Sequence, residues 1–305
     1  MTQAPGTKRK VDWQRWMSAI ALLSVGLLFL VAQGVLDVDP KWLPDSAASS
    51  RATGPRVGHH IALRAQWGAV LYVSTAFMLA LALYSGSVIL KAGWKKTCWV
   101  LAVMAVLVVT VGYLIARSPF IPPSMYAQLE WIAAASGFDA PKVVRAYVSG
   151  VFATNVIVVV AIAALLSPSP SSDRLRALME ATRHVRHLLT LATGWLVSGV
   201  IAMALLHRMG EASVQLEFAP SLREVNLANT IFVGAFYSLA LASVFVPAQL
   251  GLRRLALDHY TRTDGQQKWL EDNGFVLSFP KTLSGILAIF SPLIASVIEG
   301  IAKLS

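Results

Sequence analysis

The sequence predicts an all-α, polytopic membrane helical bundle of about six transmembrane helices, with an amphipathic or re-entrant helix near its C-terminal end. Three observations carry that prediction. Hydrophobic residues make up 56% of the 305 positions and charged residues 14%, against about a quarter charged in an ordinary soluble domain. The apolar residues gather into continuous blocks of about 20, the length that crosses a hydrocarbon core of roughly 30 Å. The blocks do not alternate with a period of two. Each therefore reads as a helix rather than a barrel strand, the two forms that satisfy every backbone group in lipid.

Taken in order, a cytoplasmic segment 1–15 carries Lys8, Arg9, Lys10 and Arg15 and leads into a first span over 16–36. Basic residues before an apolar run suit a secretory leader, but the small residues of a cleavage site do not follow cleanly. Leu30 stands two positions before Ala32, so the run reads as a retained anchor. Further spans are expected over 66–90, 98–116, 143–166, 187–206 and 227–250, none with an Asp, Glu, Lys or Arg in its middle. Together they make a transmembrane domain over 16–252, followed by a cytoplasmic tail over 253–305 with a membrane-associated helix.

Orientation follows from the basic residues, which are retained on the cytoplasmic side during insertion. With the N-terminus inside, the inner segments 1–15, 91–97, 168–186 and the tail from 251 hold 17 Lys and Arg, and the outer segments hold 9. Aromatic residues give the same topology. Trp13, Trp16, Trp94 and Trp99 fall at the inner boundary and Trp67, Tyr72, Tyr113 and Tyr147 near the outer one, where amphipathic rings favour the headgroup level. Compact loops, a retained anchor and one cysteine point to a bacterial inner membrane. The net charge of +10 suits anionic lipid headgroups. Its scatter among short loops, without an aromatic-interleaved patch, argues against nucleic acid. Cys98 is the single cysteine, which excludes an intramolecular disulfide.

The outer loops 36–65 and 117–142 are long for mere connections. In the second, Pro122, Pro123 and Ser124 precede Met125, Leu129 and Ile132 at helical spacing. A short interfacial helix is expected there, either closing the bundle or lining a vestibule. Asp139 and Pro141 then signal the start of the fourth span. The segment 282–304 is apolar but contains Pro292, Glu299 and Lys303, and its uncharged stretch ends at Ile298. Phe290, Ile294, Val297, Ile301 and Leu304 share one helical stripe, so a membrane-surface or subunit-packing helix is expected over a seventh span.

Two stripes of small residues recur at intervals of four, Gly194, Ser198 and Ala202 in the fifth span and Gly234, Ser238 and Ala242 in the sixth. Such faces let backbones approach closely in lipid, by packing on each other or on a second subunit, and a homo-oligomer is expected. Polar residues within spans include Thr110, Thr190, Thr193 and Thr230, which commonly bond their own helix. Asn155 and Asn229 offer more hydrogen-bonding capacity than one helix absorbs. With Tyr237 they are the candidate pore or ligand residues, and Pro247 is a candidate gate kink.

The histidines are His59, His60, His184, His187, His207 and His259. His184 and His187 sit among Arg183 and Arg186 and read as a positive-inside anchor rather than a metal pair. His59, His60 and His207 share the outer side and form the candidate metal set. No cofactor is expected, since the sequence has no phosphate loop, dinucleotide turn, nucleophile elbow or paired-cysteine motif. The function expected is a non-enzymatic, self-associating pore, channel or membrane-perturbing effector. The alternatives are an uncoupled carrier or ligand-sensing subunit binding at the outer loops, and a membrane enzyme with a histidine metal site.

Overall fold

The computed structural model describes residues 55–92, 128–133, 139–166, 174–213, 219–257, 268–270, 275 and 287–298. The expected spans 16–36 and 98–116, with Trp13, Trp16, Trp94, Trp99 and Tyr113, lie outside these residues. Those described are almost wholly helical, with no strand among them. In chain order the helices are α1 (Pro55–Ala92), α2 (128–133), α3 (Ala140–Leu165), α4 (Arg174–Ser213), α5 (Ala219–Leu257) and α6 (Leu287–Ile298). Four of them, α1, α3, α4 and α5, are long and apolar enough to cross a membrane, and they cover four of the six expected spans.

Local sequence explains where helices begin. Pro55 occupies the first position of α1, where its missing N–H costs nothing. Asp139 caps α3 by accepting a hydrogen bond from Lys142 N at 3.1 Å, with Pro141 in the first turn, as the start signal predicts. The short helix expected in the second outer loop is present as α2.

The helices run well past the apolar blocks. Helix α4 has 40 residues, about 60 Å of rod against a hydrocarbon core of roughly 30 Å. The segment 174–186, expected as an inner connection, is instead continuous helix. Charge alone set the predicted boundary, but Leu178, Ala181, Val185 and Leu188 are buried at helical spacing, so the inward stripe continues where the outward face turns basic.

Helix α1 lies between α3 and α4, and α4 in turn pairs with α5. On α1 the buried residues Trp67, Ser74, Leu81 and Val88 recur every seven positions, the spacing that keeps one seam against a neighbour. Its other faces show Tyr72, Leu79, Leu83 and Leu90, apolar side chains suited to acyl chains. A large core gathers Leu81, Val158 to Ile162, Trp195, Val244 and Phe245 and continues to Leu255, Leu270 and Phe275 at one end of the bundle. A smaller core at the opposite end joins Leu63, Trp67, Leu129, Ile132, Val144 and Met209. That end carries α2 and is called the lid end below.

Two residues of the expected outer aromatic group turn into the bundle. Trp67 is 4% exposed inside the smaller core, because it falls on the inward stripe of α1. Tyr147 is half-buried with its hydroxyl on Ser74 Oγ. Tyr72 alone of the described outer group is fully on the surface.

Candidate functional site: a buried polar cluster at the lid end

Helices α4 and α5 form an antiparallel hairpin connected through residues 214–218. Near its tip, His207 and Glu211 stand one turn apart on α4, and Asn226 and Thr230 one turn apart on α5. Helix α2 adds Gln128. Gln128, His207, Asn226 and Thr230 are all at most 2% exposed, in a bundle whose other surfaces are largely apolar.

The hydrogen bonds form one connected set. Gln128 Nε2 donates to Asn226 Oδ1 at 2.9 Å, and Asn226 Nδ2 donates to Glu211 Oε1 at 3.0 Å and to the His207 carbonyl at 3.4 Å. Thr230 Oγ1 donates its only proton to the Asn226 carbonyl at 2.8 Å. Toward His207 the same oxygen must accept, so His207 Nδ1, 3.0 Å away, is the donor and carries the ring proton. Asn226 is thus the hub, bonding to α2 and to both polar groups of α4.

Helix α2 is held by packing. Leu129 and Ile132 are fully buried, so Gln128 is pressed inward with little freedom. Opposite it, a Cβ at Gly210 would stand 2.7 Å from Gln128 Oε1, and only a glycine admits the amide at that depth. Among the described residues Gln128 Oε1 has no hydrogen-bond partner. A buried acceptor left unpaired costs about 1–3 kcal/mol. Together with the Glu211 carboxylate it makes the pocket of side chains acceptor-rich, the chemistry that receives an N–H or O–H donor.

The residues singled out by sequence do not all come together. His207 joins the cluster, but bonded to Thr230. His59 and His60 fall in the first turns of α1, and their side chains lie outside what is described. Among the described residues no group of three or more His, Cys, Asp or Glu converges as metal ligands. Asn229 is half-buried and lies next to Thr230 in sequence, yet outside the cluster. Asn155 lines a cavity of about 30 Å³ between α1, α3, α4 and α5, walled otherwise by Leu81, Trp195, Phe245 and other apolar groups. Tyr237 is half-buried near Gly199. Pro247 lies inside α5, whose helix continues to Leu257. His184 Nδ1 is 2.7 Å from the Tyr84 hydroxyl and His187 Nδ1 is 2.9 Å from the Arg183 carbonyl, so the two rings differ in hydrogen-bond partner while both lie against the Tyr84 ring.

The small-residue stripes are each filled within the chain. Against Gly194 lies the Phe77 ring of α1, 2.8 Å from where a Cβ would be. Ala202 belongs to the smaller core with Leu63 and Trp67. Gly234 and Ser238 receive α6. The two stripes therefore do not pack on each other.

Sequence reasoning passed over Gln128, Glu211 and Asn226. Asn226 stands beside Arg223 and Glu224, which made it look like a connection. The available signal was pairing: His207 lies six residues before the end of α4 at Ser213 and Asn226 seven after the start of α5 at Ala219, which puts them at one level of two antiparallel helices. No family model matches the chain, no curated protein matches it and no solved structure matches it, so its reading rests on the geometry of these residues.

Proposed function

We propose that the protein is a non-enzymatic carrier or ligand-sensing membrane protein that takes a small polar solute at the lid end. In this reading the chain makes six spans in a bacterial inner membrane with its N-terminus in the cytoplasm, and the lid end faces outward. The carrying observation is the buried cluster of Gln128, His207, Asn226 and Thr230, closed over by α2. Polar and ionisable groups inside an apolar bundle are costly and mark functional positions. Donors on a solute would meet the Gln128 carbonyl and the Glu211 carboxylate once α2 lifts.

The self-associating pore is the second reading, with Asn155, Asn229 and Tyr237 as lining and Pro247 as gate. It drew on the two small-residue stripes, which already hold α1 and α6, so a homo-oligomer would need another face. The exposed apolar residues of α1 supply one.

Native mass spectrometry of the protein in lipid nanodiscs separates these readings. A monomer carrying a co-purified small molecule that is lost in His207→Leu is the expected result. A closed oligomer of three or more chains with no bound molecule would overturn the proposal in favour of the pore.

A further inference from the structure

Helix α6 is mainly apolar, with no charged residue, yet contains Pro292. Proline has no N–H, so the carbonyl four residues earlier, on Ala288, loses its helical donor. Two hydroxyls replace it: Ser291 Oγ of α6 itself at 2.8 Å, and Thr193 Oγ1 of α4 at 3.2 Å. Further along, the Leu293 N–H donates to Ser238 Oγ of α5 at 3.2 Å. A Cβ at Gly234 would stand 2.7 Å from the Pro292 carbonyl, so the bare glycine is what lets the α6 backbone approach α5. In water the freed carbonyl of Ala288 would simply be hydrated. A side chain reaching from another helix to satisfy it is the solution required where water is absent.

The level of these contacts is informative. Thr193 and Ser238 lie close to the midpoints of α4 (Arg174–Ser213) and α5 (Ala219–Leu257), so α6 docks at mid-height and not at an end of the bundle. Leu293 meets Ser238, while Pro292 and Ser296 meet Gly234, one turn nearer the lid end. Helix α6 therefore runs antiparallel to α5.

Its polarity is inverted relative to a helix lying on a membrane surface. Such a helix turns a charged face to water, whereas α6 has no Asp, Glu, Lys or Arg. Its Ser296 is buried against α5, and Leu287, Phe290, Ile294, Val297 and Ile298 are turned outward. Phe290, Ile294 and Val297 of the expected stripe therefore face away from the bundle, and Ile301 and Leu304 lie outside the described residues.

We infer that α6 is a membrane-embedded helix, seated in the groove of α4 and α5 at the depth of the bilayer interior, with its Phe290–Ile294 face in contact with acyl chains. At 12 residues between Leu287 and Ile298 it is about 18 Å long, short of the roughly 30 Å core. It is a partial span that completes the bundle from within, and it does so whether or not a solute binds at the lid end.

Spin-label depth measurement tests this. In a Cys98→Ser background, cysteine replaces Phe290 or Ile294 singly and is labelled with a nitroxide in phospholipid vesicles. Both positions point outward, so the label leaves the docking contacts intact. Collision with oxygen and with a water-soluble nickel chelate is then compared with labels at Leu239, exposed midway along α5, and at exposed Lys268. The expected oxygen-to-nickel ratio matches that at Leu239 and exceeds that at Lys268 several-fold. A ratio at Phe290 and Ile294 equal to that at Lys268 would place α6 in water or headgroups and overturn the inference.

Discussion

The lid end and the middle of the bundle are built by different means. At the lid end, polar side chains from α2, α4 and α5 are tied by directional bonds through Asn226. At mid-height, four helices meet on apolar side chains around Trp195, and Asn155 is the single amide facing their small cavity. Packing holds the middle in one shape because any displacement opens space among dozens of dispersion contacts. At the lid end a second packed core around Leu129, Ile132 and Met209 is joined to a set of hydrogen bonds, and in the proposed carrier or sensor those bonds are the ones a solute would exchange.

The comparison breaks most visibly at Trp195. Its side chain is 1% exposed, and Trp195→Ala is expected to lower stability by about 4 kcal/mol, the cost of a large cavity in a packed core. Denaturant unfolding in mixed micelles reads this directly, and a loss as small as that of a surface residue would show that the middle is loosely packed. Next in size, Asn226→Leu strips partners from Gln128 and Glu211 together and is expected to cost about 2 kcal/mol. Amide exchange should quicken selectively in 128–133, and equal quickening across α3 would contradict a local role.

Asn155→Leu sharpens the contrast from the other side. It puts an apolar side chain toward an apolar cavity, and stability is expected to hold or rise by about 1 kcal/mol, with solute uptake unchanged. Loss of uptake in a stable Asn155→Leu protein would restore Asn155 as a lining residue. Smallest of all, Asn229→Ala is expected to shift stability by less than about 0.5 kcal/mol, as for residues outside buried networks. Asn226 and Asn229 differ by three positions in one helix, so this pair of variants checks the cluster's boundary by unfolding alone.

Much of the bundle was legible from hydropathy. The apolar blocks at 66–90, 143–166, 187–206 and 227–250 all lie in helices long enough to cross a membrane, and the capping signal at Asp139 marks where α3 begins. The ends were less legible, since charge ends a hydropathy window but does not end a helix. Exposed Arg183 shares α4 with buried Val185 and Leu188, and a sum over residues cannot see that they lie on different faces. The same averaging hid the site. Asn226 follows Arg223 and Glu224 in sequence but is buried among helices in space, and Gln128 comes from the short helix α2, whose approach to Gly210 depends on tertiary folding. Gly194 faces the Phe77 ring and Gly234 faces α6, partners that the four-residue spacing of the two stripes does not identify.

Helix α4 is continuous from the polar cluster at Glu211 to the arginine-bearing turns near Arg176. A rod of about 60 Å behaves mechanically as a lever with Trp195 and its neighbours as the fulcrum. A tilt of about 5° about that fulcrum sweeps each tip through roughly 2.5 Å. In the proposed carrier or sensor, a solute that shifted Glu211 would therefore move the arginine-bearing turns at the far end of α4 by a similar distance the opposite way, with no bending of the helix between them.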